Sequence, residues 1–207
     1  MAEEKLGLRE RKKLDTRKAL SDAAFELMFE RGLDNVVRED IAARAGVSVR
    51  TFNNYFNGKY DALAYRQVER MRRTVEVLRT RPADEPIWAA ITAAVLDPLE
   101  RDGLRYGLVP SSAHLAEVRK FVARSEIQNA FMESEVFGNL IAAIAERSGT
   151  DPEHDLYPHL VAGTAMAAYR AAIHVYIHSD PPTSVIPLLE KSFEAIAAGL
   201  PVPSDPS

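Results

Sequence analysis

Residues Glu39 to Leu63 read E-D-I-A-A-R-A-G-V-S-V-R-T-F-N-N-Y-F-N-G-K-Y-D-A-L. Ile41, Ala42 and Ala45 recur at helical spacing, which predicts a short amphipathic helix over Glu39 to Ala45. Gly46 stands where that helix must stop and the chain must turn, a position expected at positive φ, which glycine tolerates best. Ser48 follows as an N-cap, because its hydroxyl can accept a bond from an orphan backbone N–H. Val49, Phe52, Tyr55 and Phe56 give the next helix an apolar side, and Arg50, Thr51, Asn53 and Asn54 give it a polar one. Two short helices about a glycine turn, the second with a polar face near its start, form a helix-turn-helix pattern.

The run A-A-R-A-G-V-S-V-R-T-F-N-N-Y-F-N-G-K-Y-D-A-L also resembles the DNA-binding signature of the TetR family of bacterial one-component repressors. In that family an A-x-x-A-G-V-S turn leads into a recognition helix ending in Tyr or His and Phe, and a Lys and an acidic residue open the fourth helix. Ala42, Ala45, Gly46, Val47, Ser48, Thr51, Tyr55, Phe56, Lys59 and Asp61 carry the likeness, which covers roughly residues 10–65. Asn53 departs from it, since the family usually carries there a tyrosine that packs on the DNA backbone. The resemblance implies an all-α chain of about nine to ten helices. A helix-turn-helix head over residues 1–65 is linked by a helix at 60–81 to a ligand-binding and dimerisation body over 82–200.

Composition agrees with such a chain. A length of 207 residues, 46% hydrophobic and 27% charged, allows a sizeable core and is ordinary for a soluble protein. The absence of cysteine excludes disulfides and cysteine-ligated metal and suits a reducing cytoplasm. M-A-E-E-K-L-G-L-R-E has no apolar core of a secretory signal. The most apolar stretch, Leu160 to Ile177, contains Arg170 and His174 and therefore reads as a buried helix, with no membrane partner expected. The net charge of −4 is unevenly spread: residues 1–81 hold 18 Lys and Arg against 13 Asp and Glu, a balance of +5, and the remaining 8 and 17 give −9. A basic N-terminal part on an acidic remainder fits DNA contact at one end.

Outward from the motif, Arg9, Arg11, Lys12, Lys13, Arg17 and Lys18 cluster at the start of a first helix that Gly32 ends. Arg11, Lys13, Thr16 and Arg17 either approach phosphates or form a solvated charged face. Leu33 to Arg38 is a connector anchored by Val36 and Val37. In the recognition helix Arg50, Thr51, Asn53 and Asn54 can reach base edges or phosphates, since arginine reads guanine and asparagine adenine, and Val49 can meet a thymine methyl. Tyr55 and Lys59 are phosphate ligands by the resemblance, while Phe52 and Phe56 read as core. Tyr60 to Arg81 forms one helix with an arginine-rich face, closed by Pro82 and Pro86, which places a domain boundary near residue 82.

The rest predicts helices over Ile87 to Arg101, bent at Pro98; over Leu104 to Arg124, divided at Pro110; over Ile127 to Arg147; from about Glu153 to Ser179; and over Ser184 to Ala198. The tail P-V-P-S-D-P-S, residues 201–207, is expected to be disordered. By the resemblance, the last two helices of two subunits pack as a four-helix bundle. The homodimer then sets two recognition helices in successive major grooves, about 34 Å apart, on a palindromic double-stranded operator. It also implies an apolar effector pocket, for which Trp88, Ile91, Phe121, Phe131, Phe137, Met166 and Tyr169 are candidates beside the alternative of plain core. Similar actinobacterial members suggest a fatty acid or acyl-CoA effector. Arg170 pairs with a protein carboxylate or with an anionic ligand group if it is buried.

His174 and His178 have a zinc-capable i, i+4 spacing, but H-V-Y-I-H lacks the glutamate of H-E-x-x-H and a third ligand, so no metal or cofactor is expected. No nucleophile–base pair, phosphate loop or carboxylate pair stands out. The reading is a ligand-responsive regulator, most simply a repressor, and not an enzyme. The alternative is an all-helical binding protein or enzyme with a non-functional helix-turn-helix.

Overall fold

The computed structural model describes residues 7–103, 109–124 and 135–202. All regular structure among them is helical: nine α-helices, one 3-10 turn and no strand. The helices pack as two compact units, one drawn from Met1–Glu69 and Glu117–Glu133, the other from Arg70–Ala116 and Ser134–Ser207. This division departs from the boundary expected at Pro82. Two helices, one on each side of that proline, contribute residues to both units.

The first unit contains α1 (Leu8–Arg31), the 3-10 turn (Leu33–Asn35), α2 (Arg38–Arg44), α3 (Val49–Tyr55) and the start of α4 (Lys59–Thr80). Its core is built from the predicted apolar positions. Leu20, Ala24, Leu27 and Met28 of α1 meet Ile41 and Ala42 of α2, Phe52 of α3 and Leu63 of α4. Phe52 is wholly buried, which contributes roughly 2–3 kcal/mol, and its ring centroid lies 5.9 Å from that of Phe56. The buried Ser21 hydroxyl donates to the Ala62 carbonyl at 2.6 Å, which pairs that polar group where α1 meets α4. Gly32 (φ +84°) ends α1, and Gly46 (φ +69°) makes the turn between α2 and α3; a Cβ would strain both. Val36 anchors the connector as expected, but Val37 is 48% exposed and anchors nothing.

The second unit contains the rest of α4, α5 (Ile87–Arg101), α7 (Glu135–Ser148), α8 (Leu156–His178) and α9 (Val185–Ala197). The helix α6 (Ser112–Val122) divides between the units after Ala116. α8 packs on α7 and α9, and α9 on α5. α8 is long and apolar enough to cross a membrane by length and composition, yet one flank (Val161, Ala162, Ala165, Ala168, Ala172) is buried in the unit. It starts three residues later than the sequence predicts. The Asp151 carboxylate accepts the Glu153 and His154 N–H groups, and the Asp151 N–H donates to Asp155, so residues 151–155 form a side-chain-capped turn. Asp102 closes α5 against α4. Burial alone would raise its carboxyl, but the guanidiniums of Arg70 (3.0 Å) and Arg73 (3.1 Å) hold it below the usual range.

Candidate nucleic-acid interface and body cavity

The polar face of α3 is built from its cap outward. Ser48 Oγ accepts the Thr51 N–H at 3.0 Å and lies 2.8 Å from Thr51 Oγ1. Both hydroxyls are thereby engaged inside the first turn of the helix. Phe52 and Phe56 hold the opposite face in the core, and Val49 and Tyr55 pack partly against it. Arg50, Asn53 and Asn54 are left exposed.

A cleft open to solvent runs between α3 and the start of α1, lined by Thr51, Asn54 and Tyr55 on one side and by Leu8, Arg9, Glu10, Lys12, Lys13 and Thr16 on the other, so that one carboxylate stands among three cations. Lys13 and Thr16 are among the residues expected at phosphates; Arg9 and Lys12 are not, although Arg9 is at i, i+4 to Lys13 and Lys12 at i, i+4 to Thr16, which puts them on the same helix face. Thr16 Oγ1 donates to the Lys12 carbonyl at 2.8 Å. Arg11 is exposed but does not line the cleft. Arg17 stacks its guanidinium on the Tyr65 ring at 4.7 Å and on Phe56 at 5.4 Å, a packing role beside the core.

Lys59, a phosphate ligand by the resemblance, is engaged within the head in this structure. Its ammonium donates to the Leu33 carbonyl at 2.9 Å and lies 3.3 Å from that of Asp34, so in this structure it closes on the 3-10 turn. The same turn is held from α6, where Glu117 accepts the Leu33 N–H at 2.6 Å. That hydrogen bond, and a second from Lys120, hold the Glu117 carboxyl below its usual range. Arg124 pairs with Asp34 at 3.1 Å. Phe121, expected in an effector pocket, packs edge-on against Phe25 in the first unit, with ring centroids 5.7 Å apart. The pocket assignment fails for it because the end of α6 belongs to the head.

The cations of the first 81 residues separate into two groups. Arg31 pairs with Asp40, Arg38 with Glu39, and Arg44 with Glu26 and Glu30. The α4 arginines are likewise paired: Arg66 with Asp22, Arg70 and Arg73 with Asp102, Arg72 with Glu76, and Arg79 with Glu146. By contrast Arg9, Arg11, Lys12, Lys13 and Arg50 have no carboxylate partner among the described residues. These five stand on α3 and the start of α1, where their charge can meet phosphates; Arg17 and Lys59 also lack a carboxylate partner among the described residues but are engaged by aromatic rings and by backbone carbonyls.

In the second unit, α4, α5, α7 and α8 enclose an apolar cavity of about 20 Å³, room for roughly one water. Ile91, Met166 and Tyr169 line it, with Met71, Leu78, Val95 and Leu140 among their neighbours. Trp88 and Phe137 are half-buried and do not line it, and Arg170 is exposed, so it needs no buried partner. Phe131 lies outside the described residues.

Residues 20–64 match the bacterial regulatory proteins of the tetR family, and residues 111–201 match the MftR C-terminal domain. The HTH-type transcriptional regulator TcmR of Streptomyces glaucescens is 30% identical over 188 residues, covering 84% of this chain and 79% of that protein. The chain belongs to the TetR family. Solved structures with the same fold include the fatty acid degradation regulator FadR of Bacillus halodurans (TM-score 0.58, 19% identity, 89% of this chain and 96% of that one). Another is the TetR-family repressor FadR of Thermus thermophilus in complex with lauroyl-CoA (TM-score 0.52, 20% identity, 92% and 98%). The protein is accordingly a DNA-binding transcriptional regulator of a family that dimerises and binds small-molecule effectors, and it is not a member of an enzyme family.

Proposed function

We propose that this TetR-family protein is a cytoplasmic repressor that binds a palindromic operator as a homodimer and is released by a small hydrophobic effector. The observation that carries the DNA assignment is the segregation of unpaired cations. Arg50 and the cleft-lining Arg9, Lys12 and Lys13 lack carboxylate partners among the described residues, while the other arginines of α2 and α4 have them. Arg50, Asn53 and Val49 read bases. Thr51, Asn54 and Tyr55, with Lys12, Lys13 and Thr16 across the cleft, hold phosphates. Arg11 adds to the positive rim, and Ser48 and Arg17 act by positioning.

The dimer forms through α8 and α9. This is supported by the α8 flank left open in the single chain, where Tyr157, Leu160 and Val175 are 44%, 56% and 51% exposed among the small residues Gly163, Ala167 and Ala171. The effector enters between α4, α5, α7 and α8. The apolar lining supports a hydrocarbon portion, and the lauroyl-CoA complex of a protein with the same fold supports an acyl-CoA or fatty acid. A cavity of about 20 Å³ is far below the roughly 300–1,000 Å³ of a ligand site, so binding must part these helices. Effector therefore favours a state with different head spacing, through its differential affinity for the two states.

The test is selection of bound duplexes from a random pool by the purified protein at near-physiological salt. The expected product is an inverted repeat with fixed half-site spacing, whose retention falls when lauroyl-CoA is added. Recovery of no common sequence, by protein stripped of small molecules, would overturn the operator reading.

A further inference from the structure

We propose that each half of the operator is read through two side chains, Arg50 and Asn53, and that the core of the half-site is a G·C pair beside an A·T pair. The inference rests on the operator reading and carries it to the identity of the bases.

The residues of α3 divide by the side of the helix they occupy. Phe52 is wholly buried and fixes which side faces the core. Thr51, Asn54 and Tyr55 turn to the cleft against the start of α1, and the Thr51 hydroxyl is further engaged by Ser48 at 2.8 Å. Val49 packs partly against the core and can offer a methyl contact only. Arg50 and Asn53 are exposed and stand outside both the core and the cleft. At i, i+3 they lie roughly 60° apart around the helix, so they present one narrow strip to the groove. Asn54 carries the same amide as Asn53, but it faces the side that holds Arg9, Lys12 and Lys13.

Neither Arg50 nor Asn53 has a hydrogen-bond or ion-pair partner among the described residues. All their donors and acceptors are therefore available to bases. Two N–H groups of a guanidinium fork match N7 and O6 of guanine, and the donor and acceptor of an asparagine amide match N7 and N6 of adenine. The rise of the helix sets the two residues about 4.5 Å apart along its axis. Base pairs follow one another at about 3.4 Å, and the longer arginine stem absorbs the difference, so the two side chains meet neighbouring pairs. Arg50 also lies in the first turn of α3, the part of a recognition helix that contacts base edges.

The test is selection of duplexes from a random pool by the purified full chain and by three variants. The natural chain should recover an inverted repeat in which each half holds adjacent G·C and A·T pairs. Arg50→Gln should exchange the G for an A at its own position and leave the neighbour unchanged, because glutamine pairs with adenine. Asn53→Ala should lose the discrimination of about tenfold or more at the A·T pair and keep the G·C pair. Asn54→Ala should weaken binding with the recovered sequence unchanged. An inverted repeat that lacks this step, or that neither Arg50→Gln nor Asn53→Ala alters, would overturn the inference and leave the dimeric operator reading standing. A base position relaxed by Asn54→Ala and not by Asn53→Ala would also overturn it. Recovery of no common sequence by the natural chain would overturn the operator reading and this inference together.

Discussion

Ser48 shows how one hydroxyl organises the reading face. By capping α3 and meeting Thr51 Oγ1 it takes two polar groups out of contention for bases and leaves Arg50, Asn53 and Asn54 with free heads. Ser48→Ala should therefore cost about 1 kcal/mol of stability in urea titration. It should also lower operator affinity with the preferred half-site unchanged; a shifted half-site would mean that the Ser48 hydroxyl reads a base. Glu117 is a second residue whose role can be isolated. Its carboxyl is held low by the Leu33 N–H and by Lys120, so the native state binds fewer protons than the unfolded one. That contribution is complete above the unfolded glutamate pKa of about 4.3 and is lost as pH falls through the lower folded value. Glu117→Gln should destabilise the protein by about 1–2 kcal/mol at pH 7, with the gap closing in acid. A gap that persists at low pH would assign the loss to side-chain shape.

The 3-10 turn Leu33–Asn35 is the element on which these contacts converge: Lys59 from α4 takes its carbonyls, and Glu117 from α6 takes its first N–H. Lys59→Met keeps the stem of the side chain and removes the donor. We expect a loss of about 1–2 kcal/mol in denaturant titration, because a partly buried carbonyl loses a charged donor. If stability is unchanged and only the salt dependence of DNA binding falls, Lys59 serves phosphate as the family resemblance implies. Helix positions were largely legible in the sequence because their signals are local. The spacing of Ile41, Ala42 and Ala45, the glycine after them and the cap at Ser48 lie within a few residues of one another, and α5 begins and ends where its periodicity does. Tertiary partners were not legible. Nothing near Phe121 in the chain says that it packs on Phe25, almost a hundred residues earlier, and nothing near Lys59 names Leu33. Val37 failed for a related reason, since an apolar residue in a connector has no period to give its facing.

Over the whole molecule the charge pattern separates apparent from available charge. The +5 balance of residues 1–81 counts every cation equally, but an arginine already paired with a carboxylate brings little new charge to DNA. Arg72 with Glu76 and Arg79 with Glu146 are such pairs, whereas Lys12 and Lys13 line the cleft without a carboxylate partner among the described residues. Counterion release makes this measurable. Each phosphate neutralised contributes a slope of about −0.9 to log affinity against log salt, and a substitution in a homodimer removes two contacts. Lys12→Ala and Lys13→Ala should each make the slope shallower by about 2 while leaving the selected half-site unchanged, because phosphate contacts carry no base information. Arg72→Ala and Arg79→Ala should leave both slope and half-site alone. If the α4 variants reduced the slope as much as the α1 variants, affinity would follow the total charge of the first 81 residues, and the cleft between α1 and α3 would lose its assignment as the phosphate clamp.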